Sequence, residues 1–162
     1  MTSSTLAANR PGRVMVVDDS ALIRHLLAAQ LRQAGHDVVE VPDGGQALLS
    51  FRRQACGLVI TDMSMPGLGG LDLLAALRRE KSRPEVILLT GTRGDDPEAA
   101  VQARRLGAHD YIAKTPSALD SVVLAAERAL ATWRGREKNE HPVPDDLGVP
   151  TPALTAAAEG RA

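Results

Sequence analysis

The feature that most constrains the fold is a regular alternation of short apolar runs with longer segments of helical periodicity. The segments between the runs repeat their apolar residues every three or four positions, as an amphipathic helix does. Strands that alternate with helices in this way form a parallel sheet with helices on both faces. The sequence therefore predicts an α/β fold, with five strands at Val14–Val17, Asp37–Val41, Leu58–Thr61, Glu85–Thr90 and Asp110–Ala113.

A helix is predicted after each of the five strands. Helix one covers about 21–34 and helix three about 71–80. Helix two starts after a capping Asp43 and turns Ala47, Leu48, Phe51 and Ala55 inward, and helix five covers about 117–133. Helix four starts at Asp95 or Asp96, because a proline follows in its first turn.

Polar side chains stand where four of these strands end. Asp18 and Asp19 follow strand one, and Asp62 follows strand three. Thr90 closes strand four, and Lys114 follows strand five. In open parallel sheets, ligands bind beyond the carboxyl ends of the strands, where the strand order reverses. We therefore expect these five residues to form a site at one edge of the sheet.

The three carboxylates of this group require a cation. Acidic groups brought close together repel one another, most strongly where burial lowers the effective dielectric. Mg²⁺ takes oxygen ligands and keeps several waters, so two or three carboxylates and a backbone carbonyl suit it, and Lys114 supplies a second positive charge. A phosphoryl group is an anion that could share both cations, with Asp62 as the nucleophilic carboxylate that carries it.

These residues lie in motifs that resemble the receiver domains of bacterial two-component response regulators, from about Val14 to about Leu130. The resemblance is to single-domain, chemotaxis-regulator-like receivers. It implies a flavodoxin-like, doubly wound sheet with the strand order 2-1-3-4-5. The motifs are Val-Met-Val-Val-Asp-Asp-Ser at 14–20, Val-Ile-Thr-Asp-Met-Ser-Met-Pro-Gly at 59–67, Leu-Leu-Thr-Gly at 88–91 and Gly-Ala-His-Asp-Tyr-Ile-Ala-Lys at 107–114.

The resemblance also implies a role for each site residue. Asp62 would accept the phosphoryl group from the phosphohistidine of a sensor histidine kinase or phosphotransfer protein. By the same likeness, Mg²⁺ would bind directly to Asp19, Asp62 and the backbone carbonyl of Ser64, and Asp18 would hold a metal-bound water. The phosphate would be contacted by Thr90 and Lys114, and a switch would involve rearrangement of Thr90 and Tyr111. Dephosphorylation would be tuned by Ser64 and Thr92.

Ordinary explanations exist for each of these residues alone. Asp18, Asp19 or Ser20 could cap the following helix, and Asp62 could be a turn residue before Met-Pro-Gly. One metal and phosphoryl site accounts for all of them together. Two rival classes of protein stay open. One is a haloacid-dehalogenase-like phosphatase, which is disfavoured because the sequence lacks a second spaced acid after strand one. The other is a pseudo-receiver that binds partners without being phosphorylated.

The sequence departs from the family pattern next to the lysine. The family usually has proline directly after it, commonly in a cis bond, whereas Thr115 here stands between Lys114 and Pro116. A cis bond before a residue other than proline costs roughly 2.5–4 kcal/mol, so we expect a trans bond and an altered loop. The path by which Lys114 reaches the phosphate is therefore an open question.

Composition and length indicate one compact soluble domain, and a cytoplasmic location is expected. Of 162 residues, 1–12 are predicted to be a flexible arm, 13–134 the domain and 135–162 a disordered tail too short for a helix-turn-helix. A net charge of −1 provides no basic field for nucleic acid, and no apolar run could cross a membrane. The single cysteine, Cys56, fits a reducing compartment.

Output is therefore expected through protein contact. The expected partners are a kinase or phosphotransfer protein and a downstream protein target. A phosphorylation-dependent homodimer through helix four, strand five and helix five is one arrangement that the resemblance implies. The domain is not expected to be an enzyme, beyond catalysing its own phosphorylation and a slow loss of the phosphoryl group.

Overall fold

The computed structural model describes residues 12–91 and 96–140. The predicted arm up to residue 11, Thr92, Asp95 and the predicted tail from residue 141 lie outside the described residues. The strands are β1 Val14–Val17, β2 Val38–Val41, β3 Leu58–Asp62, β4 Glu85–Thr90 and β5 Asp110–Ala113. The helices are α1 Ala21–Gln33, α2 Gly44–Arg53, α3 Gly70–Leu77, α4 Pro97–Arg105, α5 Pro116–Leu119 and α6 Val122–Glu140.

The five strands form one parallel sheet in the order β2-β1-β3-β4-β5. Val14 lies opposite Val38 on one side and Leu58 on the other. The chain thus builds outward from β1 in both directions, and the strand order reverses between β1 and β3. This confirms the predicted flavodoxin-like architecture and brings the carboxyl ends of β1 and β3 side by side.

Each face of the sheet packs against its own apolar layer. On one face, Val14, Val16 and Ile60 contact residues of α1 and α6, among them Leu27 and Leu130. On the other face, strand residues such as Met15 and Val59 pack against α2, α3 and α4. Alternate residues of a strand point to opposite faces, so the central strands β1, β3 and β4 are apolar on both faces along most of their length.

The helix starts follow local capping chemistry. Ser20 caps α1 by accepting the N–H of Ile23 at 3.5 Å, and Asp43 caps α2 by accepting the N–H of Gln46 at 2.8 Å. Asp96 caps α4, with Pro97 in its first turn. The capping explanation for the Asp-Asp-Ser motif is therefore correct for its serine alone, and both aspartates remain for another role.

The predicted fifth helix is divided in two, and the sequence departure before it sets the start of the first part. Thr115 caps α5 by accepting the N–H of Ala118 at 3.2 Å, and Pro116 occupies the first helical turn. After one turn the chain bends at Asp120 and Ser121 before α6 begins. In the ranges 12–91 and 96–140 no peptide bond is cis, so the Lys114–Thr115 bond is trans as predicted.

Two further predictions need correction. Ala55 was predicted to face inward from helix two, but α2 ends at Arg53, and Ala55 is exposed while Cys56 is buried in its place. The tail was predicted to start at residue 135, whereas α6 continues to Glu140. Arg136 stabilises this extension, because its Nη2 lies 2.6 Å from Oε1 of the buried Glu85 at the start of β4.

Candidate functional site

The carboxyl ends of β1 and β3 bring three acidic side chains together. Asp18, Asp19 and Asp62 each present a carboxylate oxygen, and these atoms lie within 4.8 Å of one another. Asp18 is fully buried and Asp62 is 6% exposed, while Asp19 is exposed to solvent. The cluster therefore has buried carboxylates on its inner side and is open to solvent at Asp19.

Lys114, which follows β5, contacts the two buried acids of this cluster. Its Nζ lies 2.6 Å from Oδ2 of Asp18 and 3.0 Å from Oδ2 of Asp62. The N–H of Lys114 also donates to the carbonyl of Thr90 at 2.7 Å, which ties the end of β5 to the end of β4. Lys114 thus reaches both acids even though Thr115 follows it.

Backbone groups fix the two buried carboxylates. Oδ1 of Asp18 accepts the N–H of Ser20 at 2.8 Å, and Oδ1 of Asp62 accepts the N–H of Ser64 at 3.3 Å. Beneath Asp62, the N–H of Met63 donates to the carbonyl of Leu89 at 2.8 Å. Each acid therefore has one oxygen held by the chain and another directed toward Lys114.

The charges in the cluster are unbalanced. Burial raises the pKa of Asp18, and the hydrogen bonds from Lys114 and Ser20 offset this only in part. Burial alone would lower the pKa of Lys114, but its hydrogen bonds to Asp18 and Asp62 outweigh that and raise it. Lys114 is accordingly charged at neutral pH, and one positive charge faces three carboxyl groups.

This donor set fits a hard divalent cation. Three carboxylate oxygens close together, one of them on the exposed Asp19, match the oxygen ligands and open water positions that Mg²⁺ prefers. A divalent charge would also offset the negative charge that Lys114 leaves unbalanced. The use of the Ser64 carbonyl as a ligand stays a prediction.

The two predicted switch residues lie on the neighbouring strands β4 and β5. Thr90 is 5% exposed at the end of β4. Tyr111 is half-buried on β5, opposite Leu88, and packs against the apolar layer of α2, α3 and α4. Thr90 thus ends a central strand and Tyr111 lies on the adjacent edge strand, and their rearrangement stays a prediction.

Arg24 belongs to the site, although the sequence did not single it out. This residue in the first turn of α1 donates from Nη1 to the backbone carbonyl of Asp18 at 2.7 Å. The available signal was an arginine one turn after the Asp-Asp-Ser motif. A separate cavity of roughly 230 Å³ beside Trp133 and Arg83 is not lined by Asp18, Asp19 or Asp62.

Comparison with known proteins identifies the family. Residues 14–125 match the family model of the response regulator receiver domain. This range covers all five strands and includes each of the clustered acids and Lys114. The chain belongs to the receiver domains of two-component response regulators.

Its curated relatives are longer proteins. The chain is 35% identical over 127 residues to response regulator protein FleR of Pseudomonas aeruginosa, which covers 78% of this chain and 26% of FleR. It is 34% identical over 118 residues to the probable transcriptional regulatory protein TcrX of Mycobacterium tuberculosis, covering 73% of this chain and 49% of TcrX. The chain thus spans half or less of these relatives.

Solved receiver structures match almost end to end. The receiver domain of NtrX from Brucella abortus is 37% identical with a TM-score of 0.66, covering 74% of this chain and 98% of that one. A receiver domain from Clostridium thermocellum is 28% identical with a TM-score of 0.68, covering 75% and 96%. Within the described ranges, none of the helices is both long and apolar enough to pass through a lipid bilayer.

Proposed function

We propose that this receiver is phosphorylated on Asp62 in a Mg²⁺-dependent reaction whose donor is the phosphohistidine of a kinase or phosphotransfer protein. One observation carries the proposal. The Nζ of Lys114 lies within 3.0 Å of carboxylate oxygens of both Asp18 and Asp62, where it neutralises part of an acidic cluster that is open on the Asp19 side. A structural ion pair would not need the third acid.

Of the two acids that Lys114 contacts, Asp62 is the better suited to be the nucleophile. It is 6% exposed, so a phosphoryl group can reach it, whereas Asp18 is fully buried. A carboxylate oxygen of Asp62 attacks phosphorus, the bond from phosphorus to the histidine nitrogen breaks, and the imidazole leaves with that electron pair. The N–H of Ser64, already 3.3 Å from Oδ1, keeps the carboxylate oriented during attack.

Lys114 stabilises the charge that develops on the transferred group. Its ammonium lies 3.0 Å from Oδ2 of Asp62, close enough to contact an equatorial oxygen of the phosphoryl group transferred to Asp62. Asp18, Asp19, Asp62 and the carbonyl of Ser64 would hold Mg²⁺. When bound, the ion supplies positive charge to the phosphoryl oxygens.

The consequence we propose is a change in protein contacts. Phosphorylation would draw in the Thr90 hydroxyl, let Tyr111 move inward and present a different surface to a downstream protein or to a second copy. We expect a cytoplasmic location and slow self-catalysed loss of the phosphoryl group, tuned at Ser64 and Thr92. The domain would otherwise not act as an enzyme.

The test compares Asp62→Asn with Asp72→Asn, a matched change at an exposed acid of α3. With Mg²⁺ and a small phosphoryl donor, intact mass measurement should show one added phosphoryl group on the wild type and on Asp72→Asn, and none on Asp62→Asn. Labelling that persists in Asp62→Asn would overturn the assignment. An unlabelled wild type would favour the pseudo-receiver.

A further inference from the structure

An ion-pair network between α1 and β2 is connected directly to the acidic site. Arg24 is its link: the side chain is 14% exposed, Nη1 donates to the carbonyl of Asp18 at 2.7 Å, and Nε lies 3.9 Å from Oε1 of Glu40. Glu40 is on β2, opposite Val16 of β1. Arg24 therefore joins the neighbouring strand to the end of β1.

Glu40 is itself held in place by basic side chains. Nη1 of Arg32 lies 2.9 Å from its Oε2, and Nδ1 of His25 contacts its Oε1. Burial alone would raise the pKa of Glu40, but the hydrogen bonds from His25 and Arg32 outweigh it and lower the pKa. Glu40 is thus a fixed negative charge beside the guanidinium of Arg24.

The carbonyl that Arg24 binds belongs to the peptide between the two acids that follow β1. The Asp18 carboxylate is already fixed by the N–H of Ser20 and by Lys114. Asp19 is exposed, so its position depends on the backbone that carries it. Rotation of the peptide between Asp18 and Asp19 would move Asp19 relative to Asp62.

We propose that Arg24 is a positioning residue that fixes this peptide, oriented by Glu40, and so holds the three carboxylates ready for a divalent cation. The inference rests on the proposed function. Restraining ligands before binding removes an entropic cost that binding would otherwise carry, and groups that orient metal ligands typically contribute about 10–100-fold to metal affinity.

The test measures Mg²⁺ affinity directly, by calorimetric titration or by amide NMR shifts of the full chain. Arg24→Gln keeps a polar side chain but lacks the charge and the fork of donors, and we expect it to weaken Mg²⁺ binding about 10-fold. Glu40→Gln leaves Arg24 in place without its ionic partner, and we expect a smaller loss of a few-fold. Arg24→Lys retains one charged donor and should lie between Arg24→Gln and the wild type.

Arg52→Gln is the matched control, because Arg52 pairs with Glu80 through Nε at 2.9 Å and contacts no acid of the site. It should lose an arginine ion pair and still bind Mg²⁺ as the wild type does. Wild-type affinity in Arg24→Gln, or an equal loss in Arg52→Gln, would overturn the proposal.

The proposed function fails separately from this inference. Phosphoryl labelling that persists in Asp62→Asn would remove Asp62 as acceptor while leaving the Mg²⁺ comparison intact. A wild type that binds no Mg²⁺ would overturn the role of Arg24 and the metal requirement together. Ordinary Mg²⁺ binding in Arg24→Gln would overturn the role of Arg24 alone.

Discussion

At the scale of single residues, the site contains a buried carboxyl group, Asp18, whose ionisation is disfavoured by folding. Asp18 is fully buried, and its raised pKa means that the folded protein holds the ionised carboxylate less readily than water does. Lys114, at 2.6 Å, offsets only part of this cost. Retention of such a group at a functional site agrees with a role in binding a cation rather than in stability.

This imbalance predicts that Asp18→Asn stabilises the metal-free protein. A carboxyl group whose pKa is raised by folding opposes folding once it is ionised, so removal of the charge should add about 1 kcal/mol to the free energy of unfolding at neutral pH. Below the ordinary pKa of 3.8, Asp18 is protonated in both states and the benefit should vanish. Lys114 keeps Asp62 as its partner in the variant.

Urea unfolding in the presence of a chelator, at neutral pH and below pH 3.8, measures both effects. Asp120→Asn, at an exposed acid after α5, is the control and should change stability little at either pH. Destabilisation by Asp18→Asn at neutral pH would show that the ion pair with Lys114 outweighs the burial.

At the scale of elements, α6 is longer than its apolar pattern suggests. The pattern ends at Trp133, but the helix continues to Glu140 because Arg136 reaches back to the sheet. Its Nη2 contacts Glu85 at 2.6 Å and donates to the carbonyl of Arg83 at 3.1 Å. The other Glu85 oxygen lies 3.3 Å from Nδ1 of His109, so β4, α6 and the residue before β5 meet at this acid.

We predict that Arg136→Ala destabilises the protein and frays the end of α6. The change leaves the Glu85 carboxylate buried with His109 as its main partner, which should cost about 1–3 kcal/mol. Thermal unfolding gives the stability, and amide hydrogen exchange over residues 134–140 gives the fraying. Arg134→Ala, at an exposed arginine of the same helix, is the control and should have little effect on either measurement. Equal behaviour of the two variants would mean that the contact with Glu85 contributes nothing.

At the scale of the whole molecule, the acidic site and the packed faces are connected through β4 and β5. Thr90 ends β4, and its carbonyl accepts the N–H of Lys114. Tyr111, on the adjacent strand, packs against the layer that includes α4. If the Thr90 hydroxyl shifts toward a phosphoryl group, as proposed, we expect contacts to change on the surface formed by α4, β5 and α6.

Beryllofluoride, a phosphoryl mimic, should produce amide NMR shifts that extend from Asp62 to α4, β5 and α6 in the presence of Mg²⁺. The physical reason is a two-state equilibrium that the mimic biases through its contact with one state. Asp62→Asn should show no such response, because it lacks the carboxylate that the mimic binds. Shifts restricted to the acidic cluster would contradict long-range switching.

The sequence by itself determined the elements and their order, because the information is local. Periodicity located the strands, and β4 and β5 have the predicted bounds. Capping residues located helix starts, as at Asp43 and Asp96. The acids at the ends of β1 and β3 followed from the same local reading, and family-like motifs supplied the strand order that brings them together.

Only the tertiary structure decided how these groups are supported. Arg24 binds the carbonyl of Asp18 because Glu40 on the adjacent strand orients its guanidinium, and Arg136 extends α6 because Glu85 lies beneath it. In the sequence, Arg24 reads as an ordinary surface residue of helix one, and Arg136 falls in the predicted disordered tail. Their partners are set by where distant segments meet in space, and hydrophobic periodicity and capping patterns carry no information about those meetings.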